Sequence, residues 1–125
     1  MRKLAVIFVA LSLLACAGIA AGAAAQPPPQ IPRIPGPWSH AEINVTIKKV
    51  PHTLIVDRGK ISEITATQVT VREVAGVTVP VPLNTQTLVT LDGKPAAISS
   101  LRRKMTVTTL RVDGGAAVRV SASSV

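Results

Sequence analysis

From Trp38 onward the chain alternates apolar and polar residues with a period of two, the signature of strands with one face buried. In "AEINVTIKKV", Ile43, Val45 and Ile47 alternate with Asn44, Thr46 and Lys48. "HTLIVDRGKISEITATQVTVREV" reads as two strands. The first covers Leu54 to Ile64, with Gly59 marking a bulge or sharp bend. The second runs from Gln68 to Glu73, with Val69 and Val71 on one face and Thr70 and Arg72 on the other. In "GVTVPVPLN", Val77, Val79, Val81 and Leu83 share a face. Pro80 and Pro82 remove backbone donors from one side of that strand only, which predicts a sheet edge or a barrel seam.

A short strand at Thr87 to Thr90 precedes Asp92-Gly93, a tight-turn signal. Between Pro95 and Leu101 there is room for one helical turn, near 96–101. "KMTVTTLRV" and "AAVRVSA" form a hairpin through Asp113-Gly114-Gly115. No helical period longer than about two turns occurs after the leader. The expected fold is all-β: a small barrel of six to seven short antiparallel strands spanning residues 38–125.

These residues resemble a bacterial domain-of-unknown-function family of small exported β-barrels with OB-like topology. The resemblance covers residues 54–122 and rests on strand patterning. It lies in Gly59-Lys60-Ile61, Val69-Thr70-Val71 and Val77-Thr78-Val79, then a Thr near a strand start, Thr85 or Thr87. It continues in the Asp92-Gly93 turn, in Leu101 ahead of the strand around Val107, and in Asp113-Gly114 to Val118. It implies an OB-like barrel in an exported, envelope-associated setting and carries no catalytic residues. Where the pattern has glycine this chain has Lys104, so the turn there is expected to differ.

The N-terminal 25 residues follow a different rule. Arg2 and Lys3 precede an apolar run from Leu4 to Ala15, and small residues lead to Ala23-Ala24-Ala25-Gln26. This is the layout of a signal peptide cleaved between Ala25 and Gln26. The run to Ala25 is long enough to span a membrane, but its second half is Ala and Gly, and no basic stop-transfer follows. Leu13-Leu14-Ala15-Cys16 matches a lipobox, so lipidation of Cys16 is the competing route and would tether the protein to a membrane. The expected location is secreted or periplasmic, or membrane-anchored if Cys16 is lipidated.

"QPPPQIPRIPGP", residues 26–37, holds six of the ten prolines. It reads as a proline-rich linker that would stand the domain off by about 35 Å if it were polyproline II.

Composition narrows the chemistry. With the leader gone, no thiol remains and Trp38 is the only aromatic, so the domain must fold on aliphatic burial without disulfides. The net charge of +8 stays strongly positive after loss of Arg2 and Lys3, which favours acidic partners: an envelope component, an acidic polymer or an anionic surface. Base stacking has no aromatic platform in the barrel, so no specific nucleic-acid binding is expected.

Catalytic templates find no match. His40 and His52 lie far apart with no cysteine, Glu42 could share a face with His40, and no metal or other cofactor is expected. Asp57 and Glu63 flank Gly59 as the nearest approach to a carboxylate pair. No G-x-S-x-G or phosphate-binding glycine loop occurs. Asn44-Val45-Thr46 fits the glycosylation sequon by chance. The expectation is a non-enzymatic binding or structural module, with an adaptor for anionic polymer or membrane surfaces as the alternative. Arg102, Arg103 and Lys104 are the candidate polyanion contact, joined by Lys48, Lys49, Arg58 or Lys60 if the barrel brings them together.

Overall fold

The computed structural model describes residues 28–125; the leader, Cys16 and the cleavage site between Ala25 and Gln26 lie outside them. Among the described residues the chain forms eight strands and a single 3-10 turn. In order these are β1 (His40–Ile47), β2 (Val50–Ile64), β3 (Gln68–Arg72), β4 (Thr78–Pro82), β5 (Leu88–Leu91), β6 (Lys94–Pro95), the turn Ile98–Ser100, β7 (Thr106–Val112) and β8 (Ala117–Ser123). The fold is all-β, and its one helical turn falls inside the stretch where the sequence leaves room for it. Among the described residues no helix is long and apolar enough to cross a membrane.

All strands join one open sheet in the order β4-β3-β2-β7-β8-β5-β6, with β1 added to β2. Three details depart from six to seven short antiparallel strands. The eighth strand is the two-residue β6, closed onto β5 by Asp92-Gly93. β2 runs for 15 residues. β5 pairs with β8 in parallel, Leu88 to Leu91 against Arg119 to Ala122, because β7 intervenes in the chain before β8 returns beside β5.

The length of β2 organises the sheet. One edge of it pairs with β7 over Leu54 to Lys60. The other edge is divided: His40–Ile47 of β1 cover Val50 to Asp57, and Gln68–Arg72 of β3 cover Lys60 to Ile64. β1 and β3 therefore meet end to end at Arg58-Gly59 without pairing to each other. The β1–β2 connection is Lys48-Lys49, both at positive φ (51° and 65°), the backbone of a type I′ turn. Lacking Asn or Gly, that turn has no signal in the sequence. β4 ends the sheet, as Pro80 and Pro82 require.

The expected bulge exists, but not at Gly59. The register between β2 and β3 slips between Ile61 and Glu63, and the Ser62 hydroxyl donates to the Thr70 carbonyl at 3.2 Å. Gly59 serves a close approach instead, since a Cβ there would stand 2.2 Å from the Arg72 carbonyl oxygen.

The sheet curls over one apolar core that draws Ile61, Val69, Val71 and Val81 together with Val89, Val107 and Val120, so strands from both ends of the order contribute. On the opposite face Leu54, Val56 and Leu110 form a second cluster, covered by Ile43, Ile31 and Trp38. The proline-rich segment supplies part of that cover through Ile31. Arg119 donates to the carbonyls of Pro29 (2.8 Å) and Pro28 (3.1 Å), and Trp38 Nε1 donates to the Ile34 carbonyl. Its described part lies along the sheet.

Candidate functional site

The break in the β2 edge, where β1 stops and β3 begins, carries a different arrangement on each face. Pairing directly opposite in an antiparallel ladder puts two side chains on the same face. His40 is opposite Asp57, and Asp57 is opposite Thr109. Extending the β2–β3 register by one residue beyond Lys60–Arg72 sets Glu73 across from Gly59, two residues from Asp57 and on its face. The bulge at Ser62 decides this: without the extra residue Glu73 would fall opposite Lys60 and project to the other side.

The result is a compact group in which ligand-capable atoms of His40, Asp57 and Glu73 all lie within 4.8 Å of one another. His40 Nδ1 is 2.6 Å from Asp57 Oδ1, and His40 Nε2 is 3.1 Å from Glu42 Oε2. With a carboxylate at each ring nitrogen, imidazolium is favoured: the Asp57 hydrogen bond, then that of Glu42, raises the His40 pKa above its ordinary value. Asp57 is 1% exposed and Thr109 fully buried, whereas His40 reaches solvent. Burial, then the adjacent Asp57 carboxylate, pushes the Glu73 carboxyl up to about 7. Asp57 Oδ2, Glu73 Oε2 and Thr109 Oγ1 are buried without hydrogen-bond partners. Such groups are costly in a folded interior.

On the other face the same break opens a groove of about 750 Å³. Its walls carry Trp38, Arg58, Lys60 and Arg72, with Gly59 in the lining and Glu73 at the rim. The Arg58 guanidinium sits over the Trp38 ring, 5.7 Å from its centroid. Among the described residues the ion pairs within 4 Å involve only His40 and His52, so Arg58, Lys60 and Arg72 form none.

The basic run expected to bind polyanions lies elsewhere. Arg102, Arg103 and Lys104 border an open hollow with Ile64 and Leu101. The Arg102 guanidinium is spent locally, donating to the carbonyls of Ser99 and Leu101 beside the 3-10 turn. Lys104 does take positive φ (76°), so the left-handed turn survives without glycine. Its N–H donates to the Ile61 carbonyl at 2.8 Å, and the Ile61 N–H donates to the Met105 carbonyl at 2.9 Å, which pins the turn to β2. Lys48 and Lys49 form the β1–β2 turn, at the opposite end of β2 from Ile61, and do not line this hollow. Arg58 and Lys60 line the groove instead.

Of the sequence candidates, Glu42 does share a face with His40. Asp57 pairs spatially with Glu73 and not with Glu63, which is exposed on the bulged stretch. The signal for Glu73 was the register of the β2–β3 hairpin, and the bulge hid it. His52 is placed separately, its Nδ1 2.5 Å from Asp113 Oδ2 at the β7–β8 turn. No family model, curated protein or solved structure matches this chain.

Proposed function

We propose that this chain is an exported, non-catalytic binding module of the bacterial envelope that holds an anionic ligand in the groove at the β1–β3 break. The observation that carries this reading is the joint placement of Arg58, Lys60 and Arg72, cations without carboxylate partners, beside the Trp38 ring. Anionic groups suit the cations, and Trp38 in the groove lining supplies apolar contact for a sugar or acyl portion of the same molecule. An acidic polymer of the envelope has both chemistries. The curled, open sheet is read here as an OB-like barrel, and the leader as the means of export into a secreted or periplasmic setting. Lipidation at Cys16 would add a membrane tether.

The chain's single tryptophan makes the test direct. Titration with a heparin oligosaccharide at low ionic strength should change Trp38 fluorescence, and added salt should reverse the change. The R58S/K60S/R72S variant should lose the response, while R102S/R103S/K104S keeps it. The opposite pattern would move the function to the second reading, an adaptor that meets anionic surfaces through Arg102, Arg103 and Lys104. No response from the unaltered chain would overturn the groove assignment.

A further inference from the structure

We propose that His40, Asp57 and Glu73 form a binding site for a divalent transition-type cation, with zinc as its first candidate. The three side chains come from the start of β1, the middle of β2 and the residue just past the end of β3. Their ligand atoms lie within 4.8 Å of one another, so that small side-chain rotations would bring all three onto one ion.

The donor set selects the ion. Calcium and magnesium prefer all-oxygen shells, whereas one imidazole nitrogen with two carboxylates suits zinc or a neighbouring transition ion. Orientation is built in as well. A ligating histidine ordinarily donates its other ring N–H to a carboxylate, which fixes tautomer and ring angle. Here Nδ1 faces Asp57 and Nε2 lies 3.1 Å from Glu42 Oε2, so Glu42 holds the ring as a positioning residue.

A second, independent observation comes from the buried end. Asp57 is 1% exposed and keeps one carboxylate oxygen without a partner, and the Thr109 hydroxyl directly across the ladder is buried and unpartnered too. Three carboxylates, from Glu42, Asp57 and Glu73, crowd one imidazole, and no Lys or Arg forms an ion pair with any of them among the described residues. A divalent ion would offset the charge of the two ligating carboxylates, Asp57 and Glu73, and give the unpartnered oxygens a partner. His40 is exposed and gives the ion a way in from solvent. Bound there, the ion would tie β1 to β3, which otherwise share only β2.

Isothermal titration of the purified chain with zinc chloride tests this, with circular dichroism checking that each variant keeps its β spectrum. One zinc per chain is expected. His40→Gln and Glu73→Gln should each weaken binding by at least about tenfold, and Glu42→Gln by less. Glu63→Gln and His52→Gln should bind as the unaltered chain does. The proposal is overturned if the unaltered chain takes up no zinc. It is equally overturned if folded His40→Gln and Glu73→Gln bind undiminished, or if His52→Gln abolishes binding. Because none of these substitutions removes a groove cation, the result is independent of the oligosaccharide titration.

Discussion

Gly59 and Arg72 approach so closely that a Cβ on the glycine would stand 2.2 Å from the Arg72 carbonyl oxygen. The second-nearest atom, 2.8 Å away, is the Arg72 carbonyl carbon, so the obstruction is backbone that cannot rotate aside. This contact sits at the break between β1 and β3, between the histidine–carboxylate group and the groove. Gly59→Ala should therefore cost about 3 kcal/mol, at the upper end for overpacking. Urea unfolding measures it, and a cost near zero would mean the strands can part without penalty.

Leu101 is buried to 2% exposure at the base of the basic run, in the larger core. Leu101→Ala should lose about 3 kcal/mol through removed contacts and a residual cavity. Leu88 is 44% exposed, and Leu88→Ala should stay within about 0.5 kcal/mol of the unaltered chain. Unfolding midpoints of the two variants make the comparison.

Lys104 holds φ at 76° with its side chain exposed. Left-handed backbone costs a non-glycine residue about 1 kcal/mol, part of which glycine gives back as unfolded-state entropy. Lys104→Gly should accordingly stabilise the protein by about 0.5 kcal/mol, read as a higher denaturation midpoint. A lower midpoint would show that the lysine side chain contributes contacts of its own.

Asp113 accepts from the Thr53 backbone N–H at 2.8 Å and lies beside His52. The Thr53 bond, then His52, lowers its pKa below the ordinary carboxylate value. A depressed folded-state pKa means stability that is present above the unfolded value and lost as pH falls through the folded one. Asp92 is lowered in the same way by the backbone and hydroxyl of Ser124. Thermal midpoints recorded downward from about pH 5 should fall less steeply for Asp113→Asn and Asp92→Asn than for the unaltered chain. Equal slopes would contradict the assignment.

Arg119 reaches 90 residues back along the chain to the Pro29 carbonyl and holds the proline segment on the sheet. Arg119→Ala should free that segment and speed tryptic cleavage after Arg33 several-fold, as followed by mass spectrometry. Unchanged cleavage would leave Ile31 and Trp38 as the contacts that hold it.

Much of the architecture was written in local pattern. Period-two alternation identified the strands because a half-buried sheet repeats every two residues, and Pro80 and Pro82 marked the edge because each lacks an N–H. Asp92-Gly93 and Asp113-Gly114 announced hairpins through residues that tolerate positive φ. Lys48-Lys49 and Lys104 adopt the same backbone with no such signature, held there by the ladders on either side. The parallel pairing of β5 with β8 was likewise out of reach, since no residue pattern in either strand names its neighbour.

The candidate sites divide along the same line. Sequence alone determined which groups the chain carries: two histidines, one tryptophan, few carboxylates and an excess of cations. Which of them meet was a matter of register. One extra residue at Ser62 turns Glu73 toward Asp57 and His40. The shared edge of β2 brings the approach to β1 and the end of β3 to either side of Gly59, where Trp38, Arg58, Lys60 and Arg72 line one groove. Arg102, Arg103 and Lys104, the densest run of charge in the sequence, form a turn instead, because the backbone bonds of Lys104 and Met105 to Ile61 are satisfied there. Composition is read one residue at a time. Convergence depends on hydrogen-bond ladders between residues far apart in the chain, and only the folded sheet supplies those.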